Sequence, residues 1–179
     1  MIVKNLTQVG NPIIRNKSTV VKDIKSKKTQ KIIKDLVDSM RYGELVGIAA
    51  PQIGISRRIF VTEIRTTSLR KVDEKVEVDA LKVFINPRII SVSKNTLSRY
   101  EGCGSVAGAN LFGKVKRPTS LVIKARNKKG EAFELKAKGL LARVILHESD
   151  HIDGKVFLDR LIDTKSLMSG NEYKKKFKK

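Results

Sequence analysis

The sequence predicts an α+β fold in a single domain. Strand-like segments follow one another through the middle of the chain. The hydrophobic period then switches to helical over residues 139–152, and an amphipathic helix precedes the strands. A chain of 179 residues has the length of one domain and buries about two-thirds of its unfolded surface, enough for a core without disulfides. The catalytic domain is expected over residues 1–170, with residues 171–179 as a disordered basic tail.

Each element has its own signal. Over residues 25–41, Ile32, Ile33, Leu36, Val37 and Met40 form one stripe at helical spacing, and Gly43 supplies a stop. Residues 47–54 are apolar and glycine-containing, and Pro51 and Gly54 make them a strand or an irregular extended run. Arg58–Ile64 reads as a strand, and the polar stretch 65–80 as a loop or hairpin tip. Leu81–Ile85 and Ile89–Val92 read as two strands separated by a turn at Asn86-Pro87. Ser120–Arg126 and Ala132–Lys138 alternate on either side of Asn127–Gly130, a hairpin. Leu140, Leu141, Val144, Ile145 and Ile152 then mark the buried stripe of a helix that Gly154 ends.

Composition narrows the function classes. Lys plus Arg is 38 against 18 Asp plus Glu, a formal charge of +20. That charge suits a polyanionic partner, and it equally suits a lysine-rich solvated surface. No zinc-finger spacing or RNP-like pattern is present, and aromatics at 5 % leave few platforms for stacking bases. A lone cysteine, Cys103, precludes an intrachain disulfide and fits a reducing compartment. No apolar run approaches the ~18 residues of a membrane span. The opening MIVKNLTQVGNPIIR lacks the apolar core of a secretory signal. A cytoplasmic protein with no membrane partner is therefore expected.

The only two histidines are His147 and His151, in the sequence HESDH on the predicted helix. Residues i and i+4 share a helix face, so both imidazoles can reach one ion, and the Glu of an HExxH pattern acts as general base. A catalytic metal needs a third protein ligand and an open position. No histidine follows His151, which leaves Cys103, within Glu101-Gly102-Cys103-Gly104-Ser105. A lone cysteine is also commonly a small buried hydrophobe. Asp150 either orients an imidazole or is an ordinary hydrogen-bonded helix residue.

Three segments in order then resemble the peptide deformylase family. They are Leu45-Val46-Gly47-Ile48-Ala49-Ala50-Pro51-Gln52, Glu101-Gly102-Cys103-Gly104-Ser105 and His147-Glu148-Ser149-Asp150-His151. The likeness runs from Gly10-Asn11-Pro12 to Leu161. It implies small antiparallel sheets around a central helix carrying HExxH. It implies hydrolysis of the N-formyl group of N-formylmethionine on nascent chains, with release of formate and a metal-bound water as nucleophile. It further implies Cys103, His147 and His151 as ligands of one divalent ion, Fe²⁺ before Zn²⁺ or Ni²⁺. Glu148 is then the general acid and base, and Gln52 with the Gly104 N–H faces the developing oxyanion.

The residues make chemical sense in those roles. A divalent ion brings the pKa of bound water toward ~7. Gln52 has the alternative of being a buried polar residue satisfied by backbone. Val46, Gly47, Gly102, Leu140 and Val144 are candidates for contact with the substrate, core packing being the other reading of the apolar three. Arg143 is a candidate partner for Glu101. Departures from the family pattern are Leu45, Ala107, Leu146 and Gly104; at 104 a leucine is common, and glycine implies a smaller, looser wall. Two alternatives are another HExxH metallopeptidase and an inactive deformylase-like protein that binds ribosomal RNA. The expected partners are the formylmethionyl peptide and the ribosome, the latter through the basic surface and tail, with the protein acting as a monomer.

Overall fold

The computed structural model describes residues 2, 5–67 and 78–177. Two antiparallel sheets and four α-helices make up the fold among the described residues. Helix α1 is Pro12–Arg15 and α2 is Lys27–Tyr42. The strands are β1 (Gly47–Ala49), β2 (Ile59–Ile64), β3 (Asp79–Val92), β4 (Thr96–Gly102), β5 (Leu111–Pro118), β6 (Ser120–Arg126), β7 (Ala132–Lys138) and β8 (Met168–Ser169). Helix α3 is Gly139–Ile152 and α4 is Gly170–Phe177. The larger sheet has the order β1-β2-β3-β6-β7 and the smaller β4-β5-β8.

The alternation of strand side chains divides the core between two helices. Ile48, Ile59, Val61, Val83 and Ile85 pack with Ile32, Ile33, Leu36 and Met40 of α2. Ala49, Phe60, Phe84, Leu121 and Ile123 point to the other face and pack with Ala142, Ile145 and Ile152 of α3. Phe60 and Phe84 stack at 4.6 Å on that face. The helix bearing HESDH is thereby clamped against the sheet along its apolar stripe, with the smaller sheet beside it. The α+β fold with antiparallel sheets around this helix agrees with the sequence reading.

The hairpin β6–β7 and helix α3 fall where the sequence places them. Ser26 caps α2, its hydroxyl accepting from the Thr29 N–H at 3.2 Å. Gly154, at φ +75°, lets the chain leave α3 in the left-handed region, and the Lys155 N–H closes onto the Asp150 carbonyl at 2.8 Å.

Three expectations need correction. Leu81–Ile85 and Ile89–Val92 are one continuous strand, β3, with no turn at Asn86-Pro87. Asn86 takes φ +51° and its side chain bonds both the N–H and the carbonyl of Val21 at 2.9 Å. The β3–β6 register shifts between Ile85 and Arg88, so the irregularity absorbs the proline as a bulge. Residues 47–54 divide into β1 and a 3-10 turn, Ala50–Ile53, because Pro51 and Gly54 interrupt the ladder. The segment expected as a disordered tail is helical over Gly170–Phe177. Its aromatic face is the cause: Tyr173 stacks on Phe112 at 4.2 Å, and Phe177 lies 5.3 Å from Tyr100. Residues 68–77, within the expected loop 65–80, lie outside the described residues.

Candidate metal centre and active site

Helix α3 carries His147 and His151 one turn apart on the face turned toward the end of β4, where Cys103 follows Gly102. One ligand atom from each of Cys103, His147 and His151 lies within 4.8 Å of the others. The Cys103 Sγ is 3.2 Å from His151 Nε2 and accepts from the Ser105 N–H at 3.3 Å. Burial by itself pushes the thiol up, but the His151 charge and the hydrogen bonds of both imidazoles outweigh it and hold the thiol well below its ordinary value. A thiolate with two imidazoles on one centre is a donor set for a borderline divalent ion. The residues present fit such an ion.

The clustered side chains are held from behind. His147 Nδ1 lies 3.0 Å from Glu101 Oε2, which leaves its Nε2 for the centre. Glu101 in turn accepts from Arg117 at 2.7 and 2.9 Å and from Arg143 at 2.5 Å. Burial opposes ionisation of Glu101, but the hydrogen bonds of His147 and Arg117 prevail and keep it far below the usual carboxylate range. Arg117 also donates to Asp150 Oδ2 at 2.8 Å, and Arg160 donates to Asp150 Oδ1 at 2.8 Å. The Asp150 carboxylate therefore meets Arg117 and Arg160, with no imidazole among its hydrogen-bond partners in the described residues. The pairing of Arg143 with Glu101 agrees with the sequence reading.

Arg117 and Arg160 were not singled out from the sequence. Arg117 follows Gly113 and Val115 at period two along β5, all three buried. An arginine at an inward position implies a buried anion, a signal visible only once β5 is recognised as a strand.

Gln52 sits in the 3-10 turn after β1 and is 2 % exposed. Its Oε1 accepts from the Ala49 N–H at 2.8 Å. That bond fixes the amide orientation, so Nε2 points at the centre and lies 3.6 Å from Cys103 Sγ. Gln52 thus has the backbone partner that its alternative reading called for, and its Nε2 also donates to the Cys103 sulfur.

Glu148 is buried on α3, and its Oε2 has no hydrogen-bond partner among the described residues. Burial pushes its carboxyl up to about 7, against the pull of His147 and His151. Its other oxygen abuts β1: a Cβ on Gly47 would stand 2.6 Å from Glu148 Oε1 and 2.7 Å from Val144 Cγ1. Only glycine allows this approach. Leu140, Val144 and Glu148 follow one another at one-turn intervals along α3. Val46 immediately precedes Gly47, its carbonyl taken by the Glu63 N–H at 2.9 Å. Gly102 is packed under the Phe112 ring, which a Cβ there would meet at 2.6 Å. The wall expected to be loose at Gly104 is filled from elsewhere, since the Leu6 side chain occupies the space a Cβ at 104 would need.

Comparison with known proteins agrees with this geometry. The family model described as polypeptide deformylase matches residues 3–167. A peptide deformylase of Dictyoglomus thermophilum is 37 % identical over 162 residues, covering 90 % of this chain and 95 % of that protein. The crystal structure of peptide deformylase from Ehrlichia chaffeensis superposes with a TM-score of 0.79 at 29 % identity, over 97 % of this chain and 96 % of that one. A Met-Ala-Ser-bound class I type b peptide deformylase from Acinetobacter baumannii gives 0.80 at 27 % identity, over 89 % of this chain and all (100 %) of that one. Three motifs in order, the sheet-and-helix frame that gathers them and these relatives all agree: the chain belongs to the polypeptide deformylase family.

Proposed function

We propose that this chain removes the formyl group from N-formylmethionine at the start of nascent polypeptides, releasing formate. The observation that carries the reading is the Gln52 amide. It is locked by Ala49 so that its N–H₂ faces the Cys103, His147 and His151 cluster, beside Glu148, whose Oε2 has no partner among the described residues. A hydrogen-bond donor, a general base and a cation site converge on one point, which is what amide hydrolysis requires.

Cys103, His147 and His151 would hold one divalent ion; family likeness favours Fe²⁺, and Zn²⁺ and Ni²⁺ suit the same donors. When bound, the ion supplies Lewis acidity, acidifying water and polarising a carbonyl. Glu148, with its carboxyl pushed up to about 7, takes a proton from the attacking water and returns one to the leaving amine. Such a group commonly contributes about 10²–10⁴-fold. The Gln52 N–H₂ and the Gly104 N–H donate to the oxygen on which charge develops. One donor of this kind is worth about 2.7–4 kcal/mol in the transition state. Gly47 lets the substrate backbone approach, while Val46, Leu140 and Val144 offer an apolar wall for the methionine side chain and Gly102 a flat contact beside it. The Met-Ala-Ser peptide bound to the Acinetobacter relative supports a peptide of this kind as ligand.

We take the protein to act as a monomer. Among the described residues no helix is long and apolar enough to cross a membrane. We place the activity in the cytoplasm, where nascent chains leave the ribosome. The +20 charge and the exposed Lys174, Lys175 and Lys176 of α4 favour phosphate contacts with ribosomal RNA. The test of the reaction is formate release from formyl-Met-Ala-Ser by anaerobically iron-loaded protein. Formate with an intact Met-Ala-Ser product supports it. Cleavage of an internal bond of an unblocked peptide points to a general metallopeptidase, and no reaction with either points to an inactive relative.

A further inference from the structure

The segment Leu6–Val9 bridges the two arms from which the oxyanion donors come. The Thr7 N–H donates to the Gln52 carbonyl at 2.8 Å, and the Val9 N–H to the Ser105 carbonyl at 2.8 Å. Between them, the Gln8 side chain reaches the loop after Cys103. Gln8 Nε2 donates to the carbonyls of Leu6 and Gly104, both at 2.8 Å. Gln8 Oε1 accepts from the Gly108 N–H at 3.0 Å. Both amide hydrogens and the amide oxygen are used, so the carboxamide has one orientation only: a flip would set its oxygen against two carbonyls.

The loop needs such a support. Gly104 has no side chain to restrict its torsions, and glycine is the most permissive residue of the backbone. Its two flanking peptide planes must therefore be held from outside. The plane before it is fixed by the Cys103 carbonyl, which accepts from the Val106 N–H at 3.0 Å. The plane after it is fixed by Gln8 on the Gly104 carbonyl, and the N–H of that same plane, from Ser105, meets the Cys103 sulfur at 3.3 Å. The Leu6 side chain fills the space beside the Gly104 Cα. Neither Gln8 nor Leu6 belongs to the Cys103, His147 and His151 cluster.

We propose that Gln8 is a positioning residue of the reaction. It holds the Gly104 backbone so that the Gly104 N–H stays aimed at the same point as the Gln52 amide. This rests on the reading of Gln52 and Gly104 as oxyanion donors. The role is separate from substrate binding, because the Gln8 amide is saturated by backbone and offers no hydrogen to a ligand. It is also separate from holding the fold together, because Gln8 is half-buried and lies outside the three apolar cores.

The test compares Gln8→Met, similar in size but without the amide, with the wild type on formyl-Met-Ala-Ser. Small displacements of a catalytic group are costly, so kcat should fall by about tenfold to a hundredfold while KM stays within about twofold. Amide exchange at Gly108 should accelerate at least about tenfold, with the thermal midpoint nearly unchanged. Gln8→Glu keeps the acceptor for Gly108 and removes both donors, and it should lose kcat as well. A Gln52→Leu enzyme, assayed in parallel, separates the two ideas. Lost kcat in Gln52→Leu with none lost in Gln8→Met or Gln8→Glu overturns the brace alone. Full kcat in Gln52→Leu overturns the oxyanion reading and the brace built on it. A rise in KM at constant kcat in Gln8→Met overturns positioning in favour of substrate contact.

Discussion

Glu101 Oε2 lies 3.0 Å from Nδ1 of His147, although the two residues sit on different elements, β4 and α3. The strand that leads to Cys103 thus also orients His147, a second proposed ligand. Glu101→Gln should weaken divalent-ion binding about 10–100-fold, since losing the carboxylate partner of a ligating histidine has that order of effect. Competition with a chelator measures it. Unchanged affinity would show that Glu101 serves the fold alone.

Arg117 joins this carboxylate to Asp150, and both its partners are buried. Removing the guanidinium leaves two buried anions with fewer partners. Arg117→Met should cost about 3–5 kcal/mol of unfolding free energy, read from urea titration. The loss should exceed that of Arg160→Met, because the Arg160 side chain is 44 % exposed against 5 % for Arg117.

Gly47 is where β1 meets Glu148, the proposed general base. A methyl group there would press on Glu148 Oε1 and Val144 Cγ1. Gly47→Ala should destabilise by about 1–3 kcal/mol and lower kcat by displacing the Glu148 carboxylate. Steady-state kinetics alongside thermal melting check both effects, and a variant with wild-type kcat would show that β1 and α3 move apart freely.

Several features were readable from local pattern. The β6–β7 hairpin, the period of α3, the HESDH motif and the glycine-flanked cysteine all lie within short windows, where alternation and i, i+4 spacing operate. What escaped depends on distant partners. Pro87 lies inside β3 because the Asn86 side chain bonds Val21, a residue 65 positions away. Arg117 meets Asp150 across 33 positions. Gln8 meets Gly104 across 96. The helix α4 was hidden by its own lysines: Tyr173 and Phe177 are four apart on one face, but they gain their value only against Phe112 and Tyr100 of the smaller sheet.

The helical form of α4 gives its lysines a defined display. Replacing Lys174, Lys175 and Lys176 with Gln keeps Tyr173 and Phe177 in place while removing three charges. Co-sedimentation with ribosomes at low salt should weaken, with formate release from a free tripeptide unchanged. Equal sedimentation of both forms would leave the lysines as solvated surface.

Acid should act on Glu63, near the end of β2, where it pairs with Arg41 in the last turn of α2. The Arg41 hydrogen bond, reinforced by Arg65 and opposed by burial, holds its carboxyl below the ordinary 4.5. A carboxyl lowered on folding adds stability above its unfolded pKa, and that stability disappears as pH falls through the folded value. The stability gap between wild type and Glu63→Gln, measured by urea unfolding, should therefore be largest near about pH 7 and shrink on acidification below about pH 4.5. A constant gap would show that the Arg41 contact depends on shape alone.

The most direct test is Glu148→Ala, loaded with metal and assayed for formate from formyl-Met-Ala-Ser. Its Oε2 has no hydrogen-bond partner among the described residues and Glu148 is outside the Cys103, His147 and His151 cluster, so the variant should bind the ion with wild-type stoichiometry. Wild type should release formate, and the variant should be slower by at least about 10²-fold. Equal rates from the two proteins, or no formate from metal-loaded wild type, would contradict the assignment of proton transfer to Glu148 at this centre.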